Sequence, residues 1–388
     1  MTTTQAVAPP SIAAGEPRLR RFLVVGGPGL LYLGVQGVAL LALWLFTTVN
    51  NRLFDLHAWD GDWYLAIARY GYTNVPASMT DALGHHNTYS AMAFFPAYPV
   101  LIHIAEPLEG GSFVATAITI SVLFGVVAAY AVARLAKRIT GSTRASLITV
   151  VLVAAAPMSI IDSMAYPVSM LIALSALALV GVLERRWTLA GWCAGVAGLV
   201  QPTAVAVIAV VMVWGIVAAI RDRDRFHAVP AVIVAPAGFI GYFIWIAAVS
   251  GSPLTYFRAQ SGWNTTWDWG VDTVKWSWST LTKDSYAYTV LTVLIMLAAV
   301  GLLVGAFRRV PWPAWAFAAA SVVVVLGESG IHFNKTRELL PAALVLMVPV
   351  AVRLGRMHLG KLLALTALIA LGGIWYSAYS LSVWHYGI

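Results

Sequence analysis

Charge is what this chain has least of: Asp, Glu, Lys and Arg make up 10% of its 388 residues, against 60% apolar residues. A mean hydropathy of +0.81 goes with it. Soluble domains carry about a quarter charged residues, so this composition excludes a water-soluble globular fold and leaves a polytopic membrane protein. Cysteine is nearly absent as well. Cys193 stands alone in an apolar run, which excludes an intramolecular disulfide and a cysteine metal site and makes it packing material. Acidic residues are the scarcer sign, 16 against 24 basic, for a net charge of +8.

Apolar runs of spanning length are abundant. A hydrocarbon core about 30 Å thick asks for roughly 20 residues of helix, and spans are expected near residues 22–48, 112–135, 144–161, 166–184, 187–200, 203–220, 228–249, 286–306, 311–327, 338–353 and 361–383. The reading is therefore an all-α protein of about eleven transmembrane helices. Residues 1–17, rich in Thr, Ala and Pro, read as a disordered cytoplasmic N-terminus, and residues 18–388 as a single transmembrane domain. Two outer loops are long, 49–111 and 250–285. Ala93–Leu108 is apolar but short and broken by Pro96, Pro99 and Pro107, so it is laid in the interface.

This topology gathers Arg18, Arg20, Arg21, Arg134, Lys137, Arg138, Arg144, Arg185, Arg186, Arg221, Arg223, Arg225, Arg308, Arg309, Arg353, Arg356 and Lys361 at the cytoplasmic ends, leaving seven of the 24 basic residues outside. The positive charge thus anchors the chain in the bilayer and does not call for nucleic acid. The unusual polar residues collect on the outer rim: Asp60, Asp62, Asp162, Gln201, Gln260, Asp268, Asp272, Glu328, His332, Lys335 and Arg337. An ion-coupled transporter would place such groups at the bilayer midplane, between broken helices of two related halves. Neither feature is present. A transporter, a flippase or a non-catalytic partner in cell-envelope assembly is the alternative reading.

The densest signal follows the first span, Trp59-Asp60-Gly61-Asp62-Trp63. Trp59, Trp63, Ile67 and Tyr70 recur at helical spacing and predict an apolar stripe on a helix lying flat on the membrane, ended at Gly71. Asp60 can be read as that helix's cap, with the tryptophans as interface anchors. Asp60-Gly61-Asp62 also has a spacing that chelates divalent ions in some sugar-phosphate enzymes, but side chains two apart on a helix diverge, so no metal ligands are assigned and a divalent cofactor stays only an option. His85, His86 and Asn87 are read as solvated loop residues.

Trp59-Asp60-Gly61, Ile67-Ala68, Gly71-Tyr72 and the run Phe94-Phe95-Pro96-Ala97-Tyr98-Pro99 together resemble the PIG-V-like mannosyltransferases, polytopic enzymes of the GT-C class. Gly251-Ser252-Pro253-Leu254, Gln260 with Trp263, and Arg337-Glu338-Leu339-Leu340-Pro341 continue the resemblance. Two departures stand out: Tyr166-Pro167-Val168-Ser169 where the family shows Tyr-Ser/Thr-Glu-Ser, and Gln201 in place of Arg. The resemblance implies a GT-C-like fold and a sugar donor carried on polyprenyl phosphate outside the cytosol. It also implies a first-loop acid as catalytic base, the position held by Asp60.

On that footing the expected reaction is inverting transfer, most readily of mannose, to a lipid-linked or glycan acceptor at the outer face of a bacterial plasma membrane. Asp60 accepts the acceptor's proton, and cations face the departing phosphate. Arg337 is the first choice for that contact, with Lys335 and His332 beside it. Trp59, Asp62, Tyr98, Gln201, Gln260 and Trp263 complete the candidate substrate contacts, Trp263 as a face for the sugar ring.

Overall fold

A computed structural model describes residues 18–221, 224–283 and 285–384; the N-terminal segment expected to be disordered lies outside them. The long first helix α1 (Arg18–Val49) leads into the first long loop, which is itself helical, with α2 (Asp60–Tyr70) and α3 (Ala97–Ala105). The bundle continues through α4 (Phe113–Thr140), α5 (Thr143–Ala154), α6 (Val168–Leu183), α7 (Trp187–Ala197), α8 (Val205–Arg221), α9 (Arg225–Val234) and α10 (Ala237–Ser250). The second long loop holds α11 (Thr255–Gly262) and α12 (Val271–Thr282). The chain then closes with α13 (Ala287–Ala306), α14 (Trp312–Gly327), the single turn α15 (Lys335–Glu338), α16 (Leu340–Gly355) and α17 (Leu359–Ser382). Among the described residues the only extended pairing is an isolated bridge between Trp267 and Glu328.

Every predicted span is occupied by helix, and the protein is an integral membrane protein. The lengths are less uniform than the reading from hydropathy. Among the described residues, six helical segments are long and apolar enough to cross a bilayer, or seven if the bent pair His332–Glu338 and Leu340–Gly355 counts as one. Thr143–Ala154, Val168–Leu183 and Trp312–Gly327 are apolar but shorter. The short helices are also among the most buried, α6 above all. Their apolarity serves the protein interior as much as lipid, a distinction hydropathy cannot make. The segment laid in the interface does contain too little helix to span: α3 has nine residues, about 14 Å at 1.5 Å per residue.

Local signals set the helix ends. Ser112 and Ser142 accept hydrogen bonds from the backbone N–H of Ala115 and Ala145, capping α4 and α5. Lys137 and Arg138 sit in the last turn of α4, where the helix dipole favours cations. α4 packs on α6, α5 and α1, and α17 returns against α1. The approach of α17 to the α5 turn is close enough that a Cβ on Gly373 would lie 1.9 Å from the Ala155 carbonyl oxygen, so only glycine fits there.

The two ends of α4 separate two chemistries. Phe113 and Val114 line a large cavity, while Arg134, twenty residues later and so about 30 Å along the helix, pairs with Glu184. Arg138 reaches the Leu183 carbonyl and Arg144 the Met357 carbonyl at that same end. These are residues assigned to the cytoplasmic side, and they gather together.

In α2, Gly61, Trp63, Tyr64, Ala66, Ile67 and Ala68 are all buried, because the helix packs against α3 and α4. Trp59 and Tyr70, the ends of the predicted stripe, are the half-exposed ones. One expectation needs correction: Asp162 is not on the rim. It is 4% exposed, its carbonyl takes the Tyr32 hydroxyl, and its neighbour Ser163 donates to Gln36 inside the bundle.

Candidate active site

A cavity of about 1330 Å³ opens among the first loop, the second loop and the α14–α16 connection. Asp60, Asp62, Gln201, Gln260, Glu328, His332 and Arg337 from the predicted rim all line it, together with Trp59 and Trp263. Asp60 begins α2 and does not cap it; Trp59 holds the cap position and makes no side-chain cap bond. Trp59 does so at φ 65°, in the left-handed region. A bulky residue there costs of order 1–3 kcal/mol, a strain tolerated when surrounding packing fixes it. The consequence is that the Asp60 carboxylate is free for a tertiary partner.

That partner is Arg337, whose Nη2 donates to Asp60 Oδ2. Arg337 is 7% exposed, and its guanidinium carbon lies 5.4 Å from the centre of the Tyr166 ring. Tyr166 is fixed in turn by its hydroxyl, which donates to the Ala58 carbonyl at 2.8 Å, two residues before Asp60. The other terminal nitrogen, Nη1, is buried with no partner among the described residues. A buried cation with an unspent donor at a cavity wall fits an incoming anion. Asp62 turns elsewhere and takes His57 Nδ1 at 2.7 Å, so the two carboxylates of Asp60-Gly61-Asp62 answer to different partners.

The walls are aromatic. Trp63 stacks on Phe94 at 5.5 Å, and Trp263 meets both edge-on at 5.4 Å. The Trp263 indole N–H is another buried donor without a partner among the described residues. Gln260 is braced by the Tyr256 hydroxyl at 2.9 Å. Val168 and Gln201, the two departures from the resembled family, both line the cavity. On the far wall His332 lies flat on Trp276, 4.5 Å apart and 3° from parallel. Its Nε2 comes within 3.1 Å of Asp272, at ion-pair distance but off the line for a hydrogen bond. Beside them, burial first and then the charge of Glu338 push the Glu328 carboxyl up to about 9, with Lys335 pulling the other way.

Two candidates are not brought to the cavity. Tyr98 is fully buried behind it, its hydroxyl engaged by the Ala117 carbonyl and Ser121; the Phe-Pro-Tyr run holds α3 against α4. Lys335 is 2% exposed and spends its ammonium on the carbonyls of Val325 and Glu328 at 2.8 and 2.6 Å. It braces the α14–α15 turn. Sequence reasoning missed His57 and the platform role of Tyr166. His57 carries no pattern that would find it, whereas Tyr166 sat inside a motif read only for what it lacked. Among the described residues no group of three or more His, Cys, Asp or Glu converges as a metal site.

The chain is similar in structure to membrane glycosyltransferases of the GT-C type. ArnT from Cupriavidus metallidurans bound to undecaprenyl phosphate superposes with a TM-score of 0.56 at 18% identity, over 88% of this chain and 63% of ArnT. Its apo state gives 0.53 at 20% identity, over 90% and 64%. The archaeal oligosaccharyltransferase AglB from Archaeoglobus fulgidus, in complex with an inhibitory peptide and a dolichol-phosphate, gives 0.51 at 13% identity, over 92% and 56%. The chain thus spans less than two thirds of the length of either enzyme. No protein-family model and no curated protein sequence matches it. The shared property is the GT-C fold.

Proposed function

We propose that this protein is a glycosyltransferase that moves a sugar, most readily mannose, from a polyprenyl-phosphate donor to a lipid-linked or glycan acceptor at the outer face of a bacterial plasma membrane. The observation that carries the reading is the Asp60–Arg337 pair in the cavity wall, with Arg337 Nη1 buried and without a partner among the described residues. It supplies one cavity with a carboxylate to act as base and a cation to receive the phosphate, the two groups that transfer from a lipid phosphate uses. The fold it shares with ArnT and AglB, described with undecaprenyl phosphate and dolichol-phosphate respectively, supports a lipid-phosphate donor.

In this reading the donor's phosphate binds at Nη1 and shares the guanidinium's charge, which weakens its hold on Asp60. The acceptor hydroxyl then loses its proton to Asp60 as its oxygen bonds the anomeric carbon. The bond from that carbon to the phosphate oxygen breaks, and polyprenyl phosphate leaves with the electron pair beside Arg337. Inversion follows from attack opposite the leaving group. Trp263 faces the sugar ring and offers its N–H, Gln260, Gln201 and Asp62 serve the hydroxyls, and His332 on Trp276 bounds the acceptor side. Charge compensation comes from Arg337, so the proposal assigns no metal.

The test is sugar transfer from polyprenyl-phosphomannose, set beside other polyprenyl-phosphosugars, in membranes with matched amounts of wild type and Asp60→Asn. Transfer of one sugar by wild type alone supports the reading. A wild type inactive with every donor, or equally active in both forms, overturns it.

A further inference from the structure

Helix α12 has two faces with different fates. Its inner face belongs to the cavity wall: the Thr273 hydroxyl donates to the Glu328 carbonyl at 3.2 Å, and Trp276 stacks on His332 and packs edge-on against Phe333. The outer face carries Val271, Val274, Trp278 and Leu281, spaced by three, four and three residues and therefore on one side of a helix. They are 49%, 69%, 71% and 48% exposed. Trp269, 83% exposed, extends the patch at the helix's start. Lys275 and Lys283 flank it and are exposed as well.

The helix is held rigidly in this attitude. Asp268 caps it by accepting from the N–H groups of Gly270 and Asp272, at 2.9 and 2.7 Å. The Trp267–Glu328 bridge ties the loop before it to the end of α14. The next spanning helix, α13, starts at Ala287, five residues after Thr282, a distance of at most about 17 Å. α12 is therefore bound to the ends of two membrane helices and cannot stand far from the bilayer surface.

We infer that α12 is an in-plane anchor whose outer stripe is seated in the headgroup layer of the outer leaflet, with Val274, Trp278 and Leu281 against acyl chains and Lys275 and Lys283 at anionic headgroup phosphates. The partner is the lipid surface: tryptophan beside apolar residues with flanking lysines is the composition that a headgroup boundary takes up. The lipid-facing and cavity-facing sides of one twelve-residue helix then couple the His332–Trp276 wall to the bilayer. This does not depend on which reaction the cavity performs.

The experiment uses full-length protein with Cys193→Ala, bearing one cysteine at Val274→Cys or, as a wet control, at Leu83→Cys in the exposed first loop. Each is labelled with a small fluorophore and reconstituted into vesicles of phosphatidylcholine with phosphatidylglycerol, with and without brominated acyl chains. The anchor predicts at least two-fold quenching by brominated lipid at position 274, several-fold protection from aqueous iodide relative to position 83, and weaker lipid quenching when phosphatidylglycerol is omitted. Iodide quenching equal to that at position 83, with no effect of bromine, overturns it. So does protection without lipid quenching, which would mean that a second copy of the chain covers the stripe.

Discussion

Asp60 and Arg337 lie 277 residues apart in the chain and share one ion pair in the wall of the cavity. The carboxylate's side chain is 24% exposed and the guanidinium's 8%, so water screens the pair only from the cavity side. Removing one partner of a buried pair costs about 3–5 kcal/mol, because the other is left uncompensated. Structure and chemistry are therefore entangled at these residues, and the predictions below are built to separate them.

Asp60→Asn and Arg337→Gln each lower thermal stability. The double variant recovers much of that loss, since no charge remains stranded, yet it stays inactive. Melting of the three variants in detergent beside transfer assays checks this. Loss of a general base costs about 10²–10⁴ in rate, and restored stability with restored activity would make the pair purely structural.

Arg337→Lys keeps the charge but lacks the planar fork, so it cannot serve Asp60, the Tyr166 ring and a phosphate together. The expected result is a rise in KM for the lipid-phosphate donor of at least about tenfold, the equivalent of 1.4 kcal/mol, with a smaller rise for the acceptor. Steady-state kinetics with each substrate varied in turn gives the answer.

Tyr166 separates two contributions. Tyr166→Phe removes only the bond to Ala58, while Tyr166→Leu also removes the face under Arg337, worth about 0.5–2 kcal/mol. Donor KM is expected to rise modestly in the first and by a further few-fold in the second.

Glu328 gives a pH signature. Its carboxyl is raised from about 4.5 to about 9 in the folded protein, so between those values the folded state holds a proton that the unfolded chain has released. Stability contributed by this group is then full below the lower value and is lost as pH rises toward the upper one. Melting temperature from pH 5 to 9 should fall less steeply in Glu328→Gln than in wild type. A parallel pair of curves would remove Glu328 as the source.

The legible and illegible parts of this molecule divide along physical lines. The spans were readable because burial in lipid or protein demands runs of apolar residues, but the same demand hid that α5, α6, α7 and α14 are too short to stand as full-length spans. Asp60 was readable because a carboxylate between tryptophans beside a span is costly unless used. Its partnership with Arg337 was not, since no periodicity links positions 277 residues apart in the chain. Lys335 and Tyr98 show the converse: their residue types suit a site, but two backbone carbonyls consume the ammonium and the α4 backbone consumes the hydroxyl. Which polar group is already satisfied is a tertiary fact.

The most direct test is the anomeric configuration of the product formed by purified, reconstituted protein from polyprenyl-phosphomannose, read by NMR, with Asp60→Asn run in parallel. Attack assisted by one base opposite a phosphate held at Arg337 predicts a product inverted relative to the donor and none from the variant. A product of retained configuration, or equal product from Asp60→Asn, contradicts the account.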